Sequence, residues 1–198
     1  MNTNLLLAET RVGMSWTNKP EQWNFTEGGG LMIEAPPAAD FFQDPAGKHI
    51  VSSAPFFHLP VDESFELTTR LRVEMRTIYD SGCLMLMSDD RNWAKLCFEY
   101  NGQYPTIVSV VTRDGSSDDC NSERVTAENP YLRITKSQDC ISFFYSPDGG
   151  DWKLIRYFGM TFPSAVVAGV VAQSPKGEGC RVHYDELFLS RPEADSRF

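Results

Sequence analysis

YDSGCLMLMSDDRNWAKLCFEY, residues 79–100, holds two short β-type runs around a polar turn. In the second run Ala94, Leu96 and Phe98 alternate with Lys95 and Glu99. Alternation of period two marks a strand with one buried face. Lys and Glu are costly to bury without partners, so their face is expected to border solvent or a polar groove. A functional site is sought in that groove.

Outward from this stretch, similar runs recur along the chain at 31–34, 65–75, 106–112, 131–136, 140–146, 153–158, 166–172 and 181–189. Gly, Pro, Asn and Asp separate them, the spacing of a β sandwich or barrel. A polar loop is expected over 113–130. Asp89-Asp90-Arg91-Asn92 and Ser146-Pro147-Asp148-Gly149-Gly150 supply hairpin turns, because Asx side chains bond their own backbone and Gly reaches positive φ. Helical periodicity is interrupted by Pro163 in its best candidate, 159–165. The expectation is all-β, in one domain over 1–198 with its core at 14–189 and a polar, frayed tail at 191–198.

The 198 residues carry a net charge of −9 with no basic block, which argues against a nucleic-acid partner. No apolar run approaches a membrane span, and residues 5–8 are too short for an export signal. Five cysteines include no C-x-x-C pair, and His49, His58 and His183 are scattered, so no metal or other cofactor is expected. Cys83, Cys97 and Cys140 lie within apolar strand patterns, as reduced thiols of a cytoplasmic protein would. The oligomeric state stays open.

Lys95 and Glu99 project from one strand face about 13 Å apart and need partners from neighbouring strands. Arg133, interrupting Leu132 and Ile134, and Asp80, just before the first run, are the expected ones. Trp16, Trp23, Trp93, Trp152, Phe41 and Phe42 are expected beside turns. Aromatic faces near carboxylates and Arg are the materials of a sugar site, since a pyranose offers apolar C–H faces and a hydroxyl rim. Trp93 or Phe42 is the expected stacking wall, with His49 on a covering loop. The plainer account is a wet outer face carrying solvated charges.

Several segments resemble the regulation of enolase protein family, whose members are concanavalin A-like domains of unknown function. Tyr79, Asp80 and Gly82 match one motif with a one-residue deletion, and Trp93, Lys95, Glu99 and Tyr100 match a second. Asp40, Phe41 and Phe42 answer an aspartate-phenylalanine-tryptophan segment, while Asp119 replaces a family Trp after Ser117 and Asp118. The resemblance spans 14–189 and implies an antiparallel two-sheet jelly roll with a concave face, of the lectin and glucanase type. On it rests the expectation that a carbohydrate or carbohydrate-like ligand binds that face through Asp80, Trp93, Lys95, Glu99, Arg133, Phe42 and His49. Two alternatives remain: a glycosidase-like enzyme using Asp80 and Glu99, since such hydrolysis needs paired carboxyls, and a protein-interaction or metabolic-regulatory module.

Overall fold

The computed structural model describes residues 3–192; the frayed tail expected at 191–198 falls, from residue 193 on, outside the described residues. The strands in chain order are β1 (Thr3–Asn4), β2 (Ser15–Thr17), β3 (Trp23–Phe25), β4 (Leu31–Ala35), β5 (Phe41–Gln43) and β6 (Ile50–Ser52). They continue as β7 (Phe56–Pro60), β8 (Ser64–Val73), β9 (Ser81–Asp89), β10 (Asn92–Tyr100), β11 (Pro105–Arg113) and β12 (Ser116–Arg124). The last five are β13 (Tyr131–Ser137), β14 (Cys140–Ser146), β15 (Lys153–Gly159), β16 (Val167–Gln173) and β17 (Cys180–Ser190). Among the described residues no helix forms, and so none is long and apolar enough to cross a membrane.

Two antiparallel sheets make the sandwich. One runs β15-β14-β13-β8-β17-β4-β3, with β1 added beside β17, and the other β12-β11-β10-β9-β16-β7-β2. Leu67, Leu71, Ile134, Phe143 and Val182 of the first sheet are buried against Leu84, Leu86, Ala94, Leu96 and Val170 of the second. Gly82 marks how closely the sheets approach, because a Cβ there would come within 2.6 Å of Val182 and 2.7 Å of Leu71. Tyr184 stitches them, its hydroxyl donating to Val171 O at 2.7 Å and accepting from Cys83 N at 3.1 Å. A buried tyrosine keeps a partner for its O–H in this way.

The second sheet departs from simple alternation. β9, β10 and β11 are buried almost end to end, although a sandwich strand ordinarily wets its outer face. The reason is the two-stranded ribbon β5–β6, which crosses that outer face. Its residue Gln43 anchors it by two donated hydrogen bonds, the N–H to Ser117 Oγ at 3.0 Å and Nε2 to Asp90 O at 3.3 Å. Trp93 lies fully buried with its indole against Phe41, ring centroids 6.1 Å apart.

The stretch expected as a polar loop is in fact edge strand β12 for most of its middle, hydrogen-bonded to β11 from Arg113↔Ser116 to Thr106↔Arg124. An edge strand with solvated side chains gains its order from the ladder and gives no apolar signal. Cys83 and Cys97 are buried and face each other across β9 and β10, as small hydrophobes do, but Cys140 is exposed at a strand end.

Candidate functional site

A cavity of about 200 Å³ opens where the ribbon leaves the outer face of the second sheet. Val108 and Val110 of β11 form an apolar floor, and Lys95 and Glu99 of β10 reach it from one side. Asp119 enters from β12, the strand beyond β11. Phe42 and His49 of the ribbon stand side by side on the wall, ring centroids 6.3 Å apart. Tyr79, Gln173, Pro175 and Lys176 complete the rim.

Lys95 is buried and its ammonium is held within the protein. Nζ donates to Phe41 O at 2.7 Å and to Gln173 Oε1 at 2.9 Å, and pairs with Asp40 Oδ1 at 3.6 Å. Burial alone would weaken its charge, but the Asp40 carboxylate outweighs that and raises the pKa. Gln173 closes the triangle by donating Nε2–H to Asp40 Oδ1 at 2.8 Å.

Glu99 is different. It makes no hydrogen bond or ion pair with any described residue, and desolvation pushes its pKa up to about 8 despite the opposing charge of Lys95. Its carboxyl is therefore largely protonated at neutral pH, able both to donate and to accept. Asp119 is also shifted upward, again chiefly by burial against the pull of Lys95.

Of the seven residues named from sequence, Phe42, His49, Lys95 and Glu99 meet at this cavity. Three do not. Trp93 is no stacking wall, because the ribbon covers it and its indole N–H donates to Asp90 O at 3.2 Å. Arg133 belongs to the other sheet, where its guanidinium lies 3.7 Å from the Trp152 ring centre and bonds Thr68 Oγ1. It cannot join Lys95 and Glu99, because alternation places it on the opposite outside of the sandwich.

Asp80 is wholly buried and structural. Its Oδ2 accepts from Arg76 N at 2.9 Å and Thr77 N at 2.8 Å, and its Oδ1 accepts from Ser174 Oγ at 2.7 Å. The backbone does meet the end of β10, with Tyr100 N donating to Asp80 O at 3.1 Å. Both oxygens of Asp80 are thus taken up by the protein, and Asp80 does not line the cavity that Glu99 reaches. What Asp80 does is clamp the 76–79 turn to Ser174, two segments that carry the rim residues Tyr79 and Pro175. Tyr79 itself adopts a φ of 73°, a left-handed conformation uncommon for a bulky side chain.

Sequence reasoning missed Asp40 and Gln173 as partners of Lys95, and Tyr79, Asp119 and Lys176 as lining. The Asp40-Phe41-Phe42 segment was the available signal for the first. Gln173 closes an apolar run and gave none.

A family model described as "Protein of unknown function (DUF1349)" matches residues 16–192. The chain is 24% identical over 178 residues to Regulation of enolase protein 1 of Saccharomyces cerevisiae, covering 90% of this chain and 89% of that protein. A crystal structure of a functionally unknown protein from Saccharomyces cerevisiae superposes with a TM-score of 0.84 at 24% identity, over 92% of this chain and 98% of that one. A mutant of the GH43 protein BlXynB from Bacillus licheniformis gives 0.73 at 14% identity, over 91% of this chain but 37% of that one. The exoplasmic/lumenal domain of VIP36, solved in a form bound to Ca2+ and Man3GlcNAc, gives 0.63 at 9% identity, over 98% and 92%. These likenesses establish a concanavalin A-like jelly-roll sandwich.

Proposed function

This chain belongs to the DUF1349 family of proteins of unknown function, and from that premise we propose that it binds a small carbohydrate or carbohydrate-like ligand in the cavity beside the β5–β6 ribbon. The observation that carries the reading is the contrast at Glu99, a largely desolvated carboxyl that makes no hydrogen bond or ion pair with a described residue, while Lys95 and Asp40 beside it are matched to each other. A ligand hydroxyl supplies the missing partner.

Three further features support it. The floor is apolar and the wall aromatic, which suits the C–H face of a sugar ring. The cavity is smaller than the roughly 300–1,000 Å³ of drug-sized sites, so it accommodates one ring rather than an extended chain. Tyr79 is held in a strained backbone state at the rim, and such strain gathers at binding sites. VIP36, with its oligosaccharide, shows that a similarly folded domain can serve this purpose, although at 9% identity it lends only its fold. With five free cysteines, the cytoplasm is the compartment we place it in, a point that cell fractionation tests.

Ligand-observed NMR with a panel of monosaccharides tests the proposal. Saturation transfer to at least one sugar that disappears in Phe42→Ala supports it. Absence of transfer for the whole panel at millimolar protein and ligand removes it.

A further inference from the structure

The cavity's polar groups do not balance. Lys95 is closed off by Phe41 O, Gln173 Oε1 and Asp40. Asp40 in turn is matched by Lys95, by Gln173 Nε2 and by His49 Nε2 at 3.6 Å. Glu99 and Asp119 remain, with no cation paired to either. Lys176, on the far rim, is exposed and pairs with neither. Glu99 and Asp119 line the cavity together with Val108, Val110, Phe42 and Tyr79.

Two carboxyls with no ion-pair partner of their own, the nearby Lys95 being held by Asp40, beside aromatic side chains are the chemistry that recognises an ammonium. The carboxylates supply charge-assisted acceptors, and the rings add cation–π attraction. From this arrangement we infer that the ligand carries a primary amine, which enters between Glu99 and Asp119 with its carbon skeleton against Phe42 and Tyr79. The inference rests on the ligand-site reading above and narrows the ligand class to amino sugars and similarly small polar amines.

Proton balance follows. Desolvation raises the Glu99 pKa to about 8, so the carboxyl is largely protonated slightly below neutral pH, and an arriving ammonium makes the carboxylate the favoured form. Binding therefore releases a proton from Glu99 to solvent while the amine keeps its own. The groups that surround Glu99 and modulate this are Lys95 from β10, Asp119 from β12, Asp40 and His49 from the ribbon region, Lys176 after β16, and the thiols of Cys83 and Cys97.

The test uses glucosamine, glucose and ethanolamine as probes, titrated calorimetrically into the full chain slightly below neutral pH in two buffers of different ionisation enthalpy. Glucosamine is expected to bind about tenfold or more tightly than glucose, with net proton release. Glu99→Gln should abolish both the preference and the release, and Asp119→Asn, an exposed position that leaves folding intact, should reduce the preference. Glucose binding as tightly as glucosamine overturns the inference and leaves the sugar reading standing. Ethanolamine binding with neither sugar does the reverse. Failure of all three probes overturns both.

Discussion

Lys95 and Asp40 form a buried pair bridged by one amide: Nζ stands 3.6 Å from Asp40 Oδ1, and Gln173 accepts from the first and donates to the second. The pair fastens β10 to the start of the β5–β6 ribbon and to β16. A lysine on an outer sheet face is thus a rivet for the cover above it.

Lys95→Met is expected to destabilise the protein by about 3 kcal/mol, because removing one partner leaves Asp40 buried without its cation. Urea unfolding measures this. Gln173→Leu should cost less, on the order of 1–3 kcal/mol, since it orphans hydrogen bonds but leaves the ion pair. Equal stability of Lys95→Met and wild type would show the rivet to be absent.

Asp80→Ala should lower stability by about 2 kcal/mol, through two buried N–H groups and a serine hydroxyl losing a charged acceptor. It should also weaken ligand binding without touching the ligand, since the clamp holds both rim segments. Unfolding and titration of the same variant check both parts. Unchanged stability would refute the clamp.

Tyr79→Gly separates strain from function. Relief of a left-handed conformation stabilises by roughly 1–2 kcal/mol, partly offset by the 0.5–1 kcal/mol entropy of glycine. The variant should melt no lower than wild type and yet bind the ligand more weakly.

Glu99 makes stability depend on pH with a definite sign. Its folded pKa of about 8 lies above the ordinary 4.5, so the folded state binds the extra proton between these values. Stability from this group is full below about pH 4.5 and falls as pH rises toward 8. Denaturant midpoints compared at mildly acid and mildly alkaline pH should show this decline in wild type and a shallower one in Glu99→Gln. A midpoint that rises over the same range for wild type alone would contradict it.

How much of this was readable in the sequence depended on what covers each residue. The β9–β10 hairpin was legible because Ala94, Leu96 and Phe98 alternate cleanly, and its register holds from Trp93↔Met87 to Glu99↔Ser81. The family motifs likewise led to the fold. Lys95 was expected beside solvent or a groove, but the ribbon that buries it lies in a proline-rich stretch with only three residues in each strand. Its place over the sheet is decided by long-range contacts such as Gln43 to Ser117. Arg133 and Lys95 both sit on outer strand faces, and periodicity cannot say that those faces belong to different sheets. Asp80 was adjacent in sequence to the right turn, yet the direction of its carboxylate depends on Ser174, distant in the chain.

Amide chemical-shift mapping during a glucosamine titration tests the ligand site most directly. Perturbations gathered on Phe42, His49, Tyr79, Glu99, Val108 and Asp119, with the Arg133–Trp152 face of the other sheet silent, are the expected result. Shifts centred on that opposite face, or none anywhere at saturating millimolar probe, would contradict a binding cavity beside the ribbon.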